Sequence, residues 1–235
     1  MKYGTYIKLL DILGRAKNLD IKTVYLENVN VFLLCKDNDC ILIDTGVDGD
    51  GEIILDEINK LKLNLKYIII THAHYDHAGG LGFVSENTEA KIICHSYEMP
   101  YLIKGESSIL TPHGVSFEKL AKTMHLSSKN RDFFKPAKSE FIPIDKQTSL
   151  EDFGFSGYIL PLPGHTPGSI CIFTLDVCIC GDTVFNVTDN HFPPIYNDKE
   201  SLLKTFEKIN NSGAKYIYPS HGKKFKVSEL NYRVE

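Results

Sequence analysis

Residues 71–77 read Thr71-His72-Ala73-His74-Tyr75-Asp76-His77, which places four metal-capable side chains within six residues. Imidazole and carboxylate together suit zinc, iron or manganese. A helix would scatter these groups around its surface, and a strand would split them between two faces. We therefore expect a tight turn that fans them around a point. The run Lys66-Tyr67-Ile68-Ile69-Ile70 just before it reads as a buried strand. Gly79 and Gly80 just after it supply backbone freedom for the turn. Adjacent His and Asp side chains can point to different centres, so four such groups could serve two ions.

Three further places repeat the pattern of a strand that stops at a metal-capable residue beside glycine. His165 lies within Pro163-Gly164-His165-Thr166-Pro167-Gly168-Ser169. Asp182 follows the apolar run Val177-Cys178-Ile179-Cys180. His221 follows Tyr216-Ile217-Tyr218-Pro219-Ser220. Functional groups in α/β proteins gather in loops at strand ends.

With these motifs in order, the chain resembles the metallo-β-lactamase superfamily over residues 31–222. Ile43-Asp44-Thr45-Gly46 is similar to that family's first motif, whose Asp supports the metal site from behind. His72, His74, Asp76 and His77 resemble the second motif, His165 the third, Asp182 the fourth and His221 the fifth. The resemblance implies that His72, His74 and His165 bind one divalent ion and that Asp76, His77 and His221 bind another, with Asp182 bridging the two. Zinc is the expected metal, with iron or manganese as alternatives. It also implies an αβ/βα four-layer sandwich of two mixed β-sheets with helices outside.

Composition agrees with one compact enzyme domain over residues 1–235. Hydrophobic content of 43% and charged content of 24% are those of a globular protein. A net charge of −4 gives no electrostatic reason to expect nucleic acid or an anionic membrane as partner. No apolar run reaches transmembrane length, and residues 1–10 do not read as a secretory signal. The six cysteines lie mostly in apolar runs. Buried reduced thiols and a cytoplasmic location are therefore expected. Cys178 and Cys180 would share one face of a strand as core residues.

The coarse layout alternates strands and helices, which indicates a layered α/β architecture. Residues 29–35 and 40–44 read as a hairpin. Ile53, Ile54, Ile58 and Leu61 fall at helical spacing, as do Leu202, Leu203, Phe206 and Ile209. Further strands are expected at residues 91–94, 141–144, 158–160, 169–174 and 177–180. The stretch from 101 to 140 does not fit the sheet pattern and reads as an insertion. Phe117, Leu120 and Met124 recur at three and four residues, which predicts a short amphipathic helix. Its expected role is a lid over the cleft or a contact between subunits of a homo-oligomer, the alternative being an ordinary surface decoration. His95, His113 and His125 read as polar surface, and His191 as a residue that could line the pocket.

The His165 and Asp182 loops resemble those of glyoxalase II, the hydroxyacylglutathione hydrolases. The expected reaction is therefore hydrolysis of a small thioester, ester or lactone. Asp76 or Asp182 would orient the nucleophile and pass its proton to the leaving group. Few residues follow His221, so that subgroup's C-terminal glutathione-binding domain is not expected here. Lactonases of the superfamily carry a tyrosine shortly after the bridging Asp, where this chain has Thr183-Val184-Phe185. Two other classes use the same motifs: a mono-iron persulfide dioxygenase and a nuclease of the tRNA 3′-processing type. The acidic balance and the lack of a basic arm weigh against the nuclease.

Overall fold

The computed structural model describes residues 7–9, 19–108 and 133–233. Two mixed β-sheets form its frame. The first has seven strands in sequence order: β1 (Ile7–Leu9), β2 (Leu19–Tyr25), β3 (Asn30–Lys36), β4 (Asp39–Ile43), β5 (Asn64–Ile69), β6 (Lys91–His95) and β7 (Phe141–Ile144). Pairing is antiparallel from β1 to β4 and parallel from β4 to β7. The second sheet contains β8 (Thr148–Ser149), β9 (Tyr158–Pro161), β10 (Ile170–Thr174), β11 (Val177–Ile179), β12 (Tyr216–Tyr218) and β13 (Phe225–Lys226). Its spatial order is β13-β12-β11-β10-β9-β8, and β11 with β12 is its one parallel pair.

Strands with apolar residues at nearly every position are the mark of a sheet covered on both faces. In β3, Phe32 and Leu34 face the second sheet, while Val31, Leu33 and Cys35 face the other way. Around β5, Ile69 points to the inter-sheet core, and Ile68 and Ile70 point to the outer one. The second sheet does the same. Ile170, Ile172, Val177 and Ile179 meet the first sheet, while Cys171, Phe173, Cys178 and Cys180 turn outward. Three apolar layers result.

Helices close the outer two layers. Beside the first sheet lie α1 (Asp50–Lys60), the single turn α2 (Tyr75–Ala78), α3 (Leu81–Glu86) and α4 (Met99–Lys104). Against the second sheet lies α5 (Lys199–Asn210). The Asp198 carboxylate caps α5 by accepting from the Glu200 and Ser201 N–H groups at 3.0 and 3.2 Å. Leu202, Phe206 and Ile209 of α5 are buried as their spacing predicts. In α1 the buried face is Ile54 and Ile58, whereas Ile53 is 39% exposed. The expected stripe there was one residue too wide.

This is the expected four-layer sandwich of two mixed sheets. All six cysteines are buried and free, and Cys178 and Cys180 share a face of the core. Nothing in the sequence pattern predicts β1, β2, β8 or β13. β1, β8 and β13 are short edge elements defined by their pairing partners more than by their own pattern, whereas β2 is a seven-residue strand between β1 and β3. Among the described residues no helix is long and apolar enough to cross a membrane.

Both ends of the 101–140 stretch belong to the frame. Residues 101–104 finish α4, the Phe134 N–H donates to the Gly105 carbonyl at 2.7 Å, and Phe134 packs into the outer core of the first sheet. Phe117, Leu120 and Met124, with His113 and His125, lie outside the described residues.

Candidate metal centre

Parallel pairing puts the ends of β4 and β5 on one edge of the first sheet, and the ends of β11 and β12 on one edge of the second. β9 runs in the same direction as β11, because each is antiparallel to β10. The loops bearing Asp44, residues 71–77, His165, Asp182 and His221 therefore leave one side of the sandwich. Backbone hydrogen bonds join the two edges. The Ile170 N–H donates to the Thr71 carbonyl at 3.0 Å, and the Asn30 N–H to the Ser220 carbonyl at 2.8 Å.

Residues 71–77 do not form a simple turn. His72 and Ala73 belong to no helix or strand, and α2 begins after them, with His74 as its extended N-cap and Asp76 and His77 on its single turn. Change of direction at Tyr75 separates the first two imidazoles from the last pair. Gly79 and Gly80 have ordinary helical dihedrals, so their role is not conformational freedom. A Cβ on Gly79 would come 2.7 Å from the Asp48 nitrogen, and one on Gly80 would collide with the Thr45 carbonyl. They are needed because the loop after β4 passes close by.

The seven expected residues come together in two groups that share Asp182: His72, His74, His165 and Asp182, and Asp76, His77, Asp182 and His221. In the first group His72 Nε2 and His74 Nδ1 are 2.8 Å apart, and His165 Nε2 lies 3.2 and 3.1 Å from them. Asp182 Oδ2 is 3.7 Å from His165 Nε2. In the second group Asp182 Oδ1 is 3.1 Å from His77 Nε2 and 3.3 Å from His221 Nε2. Asp76 Oδ2 is 3.1 Å from His221 Nε2 and 3.8 Å from His77 Nε2. The two oxygens of Asp182 thus serve different groups. Every member is buried except Asp76, whose side chain is 18% exposed and marks the open side.

Hydrogen bonds behind the rings fix which nitrogen faces inward. The His165 Nδ1–H donates to the Ile195 carbonyl at 2.8 Å. Asp44 Oδ2 accepts from His77 Nδ1–H at 2.8 Å and from the Thr71 hydroxyl at 2.8 Å, while its Oδ1 accepts from the Thr71 N–H at 2.8 Å. The Thr71 oxygen, with its proton given to Asp44, takes the Nδ1–H of His72 at 3.1 Å. Asp44 thereby orients two imidazoles, the role expected of it. It does so from a left-handed backbone conformation at φ 62°, which Asp tolerates better than most residues. The Phe185 ring stacks on His221 at 4.9 Å.

The charges differ between the groups. Burial, helped by neighbouring imidazoles, lowers His72 far below the ordinary range and His74 to about 3, and burial also lowers His165. Burial opposes charge at His77 and His221 as well, but there the carboxylates outweigh it. Asp182, Asp76 and Asp44 raise His77, and Asp182 with Asp76 raises His221 to about 9. Asp76 and Asp182 are in turn held below the usual carboxylate range against burial, Asp76 chiefly by His77 and then His221, Asp182 chiefly by His221 and then His77.

These residues fit a metal. His72 Nε2 and His165 Nε2 face each other as lone pairs, because each ring's proton is committed to the other nitrogen, and lone pairs cannot bond one another. A cation between them removes the repulsion. A tetrahedral set of nitrogens around zinc would be about 3.3 Å apart, close to the separations found. His77 Nε2 and Asp182 Oδ1 are buried 3.1 Å apart without a hydrogen bond of good geometry, and a cation beside them would satisfy both.

Two residues outside the expected set also shape the centre: Thr71, which relays Asp44 to His72, and Glu98, a fully buried acid after β6. Neither has a local sequence signal of its role. His191 stacks on Phe225, and its Nδ1 accepts from the Asn231 N–H at 2.9 Å; it joins neither metal group. Burial lowers its pKa.

Comparison with known proteins agrees with this fold. The metallo-β-lactamase superfamily profile matches residues 24–221, and the chain belongs to that superfamily. Among its relatives, a probable metallo-hydrolase, YflN of Bacillus subtilis strain 168, is 26% identical over 227 residues, covering 88% of this chain and 84% of YflN. A hydroxyacylglutathione hydrolase of Buchnera aphidicola subsp. Baizongia pistaciae is 28% identical over 203 residues. That match covers 84% of this chain but 64% of the relative's length. Among solved structures, the BLEG-1 B3 metallo-β-lactamase matches with a TM-score of 0.66 at 21% identity, covering 89% of this chain and 95% of that one. TTHA1623 in a di-iron-bound form matches with a TM-score of 0.62 at 21% identity, covering 88% and 94%. At that identity both speak for the fold alone.

Proposed function

We propose that the protein is a binuclear metal-dependent hydrolase of small thioesters, esters or lactones, of glyoxalase II-like type. The observation that carries this reading is the sharing of Asp182 between two convergent donor groups. His72, His74 and His165 would hold one divalent ion, and Asp76, His77 and His221 the other, with Asp182 spanning both. Zinc suits the histidine-rich set, and iron or manganese suits the carboxylate-bearing one nearly as well.

When bound, such ions supply Lewis acidity, which acidifies a water and polarises a carbonyl. The chain's own groups do the rest. Asp182 orients the water between the two groups. Asp76, the more exposed of the two carboxylates, would take the water's proton and hand it to the departing thiolate or alkoxide. Asp44 and the Ile195 carbonyl keep the imidazoles from rotating as charge develops. The hydroxyacylglutathione hydrolase among the relatives and the His165 and Asp182 loops support an acyl substrate, and the negative net charge disfavours RNA.

The test is metal analysis of protein from its native host, followed by kcat/KM for thioesters, lactones, persulfides, phosphodiesters and β-lactams. Two ions per chain and a preference for an acyl substrate are expected. Full activity with one ion under metal-replete conditions overturns the binuclear reading. A preference for phosphodiesters, or oxygen consumption with a persulfide on iron-loaded protein, overturns the acyl-hydrolase reading.

A further inference from the structure

Glu98 is fully buried at the N-cap of α4, immediately beyond β6. Its Oε2 accepts from the Ala73 N–H at 3.0 Å, and its Oε1 accepts from the Thr166 hydroxyl at 2.7 Å. Ala73 is the residue between His72 and His74, and Thr166 follows His165. The one carboxylate therefore ties together the two loops that carry all three imidazoles of the first group. The packing is close: a Cβ on Gly168 would come 2.6 Å from Oε1. The other side of the Ala73 peptide is also held, since its carbonyl accepts from the Ser108 N–H at 2.8 Å. Ser169 completes the grip on the second loop. Its hydroxyl accepts from the Thr166 N–H at 3.0 Å and lies 2.9 Å from the Thr166 hydroxyl.

Among the described residues Glu98 makes no hydrogen bond to Asp76, His77 or His221; His77 is held by Asp44 and Thr45, and His221 by Asp76, Phe185 and the Asn186 backbone. A carboxyl group buried here is costly unless it is hydrogen-bonded. Its bonds hold imidazoles from β5 and β9, in different sheets, at the separation a shared cation requires.

We propose that Glu98 is a positioning residue that sets the geometry and cation affinity of the His72–His74–His165 group and leaves the Asp76–His77–His221 group unaffected. The inference rests on the binuclear reading above. It differs from a general structural role because it predicts an effect on one group of ligands and not the other.

Cobalt(II) titration of the metal-free protein, followed by visible absorption and by competition with a chelator, tests this. Wild type should take up two equivalents. In Glu98→Ala one equivalent should weaken by about 10- to 100-fold, the range found when a partner behind a metal ligand is removed, with a change in its absorption band, while the other stays as in wild type. Glu98→Gln keeps the length and one acceptor oxygen, so it should weaken the same equivalent by less. Should Glu98→Ala fail to fold, Glu98→Gln carries the comparison. Double variants identify the group affected. Either change should add little to His165→Ala but should add in full to His221→Ala.

Equal weakening of both equivalents in a folded variant, no weakening of either, or full additivity with His165→Ala overturns the proposal. Uptake of a single equivalent by wild type overturns the binuclear reading instead. Positioning by Glu98 is then decided by whether that one equivalent weakens non-additively with His165→Ala.

Discussion

Asp44 and Asp50 stand at the two ends of the turn that follows β4, and their surroundings use them differently. Asp44 has donors for both oxygens, from Thr71 and His77. Asp50 accepts from the Val47 N–H at 2.9 Å, and burial pushes its pKa up from 3.8 to about 6. Folding therefore favours its protonated form. Between the unfolded and folded values the native state binds more protons than the unfolded one, so this group's contribution to stability is present below the unfolded value and is lost as pH rises through the folded one. In Asp50→Asn that dependence disappears. Urea denaturation at several pH values should show wild type losing stability relative to the variant as pH rises from about 4 to about 6. A constant difference across that window would mean that folding leaves the Asp50 pKa unshifted.

At the scale of elements, strands deliver the side chains and the residues after them aim them. β12 ends at Tyr218, and three residues later His221 must turn inward beneath Phe185. Gly222 permits this at φ 97°, with its backbone paired to Asn186. A Cβ there would collide with the Asn186 carbonyl. Gly222→Ala should lower stability by about 1–3 kcal/mol, the usual cost of a left-handed non-glycine residue, and should move His221 away from Asp76 and Asp182. Its effect on cation binding should fall on the Asp76–His77–His221 group, the reverse of Glu98→Ala. Calorimetry and cobalt titration together check both parts. Unchanged stability would show that the loop relaxes around a new methyl group.

On the scale of the whole molecule, the three apolar layers and the metal centre are separate sources of order. The buried apolar residues of β3, β4, β5, β6, β10 and β11 do not depend on the centre for their contacts. In the metal-free state the raised imidazoles of His77 and His221 balance the carboxylates of Asp76 and Asp182. Chelation should therefore remove activity and lower Tm while leaving the far-ultraviolet circular dichroism near its starting value. An ion present at 100 times its Kd stabilises by about 2.7 kcal/mol, a part of a typical domain's stability of about 5–15 kcal/mol. Collapse of the dichroism on chelation would show that the fold depends on the metal.

Much of this was legible in the chain. Apolar runs that stop at His, Asp and Gly are local patterns, and their order along the sequence matched one superfamily. Local pattern could not tell which side of each run faces which core, because strands covered on both faces carry apolar residues throughout. Phe32 and Leu33 look alike in sequence and belong to different layers. Nor could it separate Glu98 from the other acids. The contacts of Glu98 reach residues 25 and 68 positions away, and the pairing of His221 with Asp76 spans 145. Residue type and spacing determined which groups were available to a metal. Tertiary packing alone decided which ring nitrogens face inward, which oxygen of Asp182 meets which group, and which buried carboxylate holds the loops. Those depend on hydrogen bonds that form only after distant strands have come together.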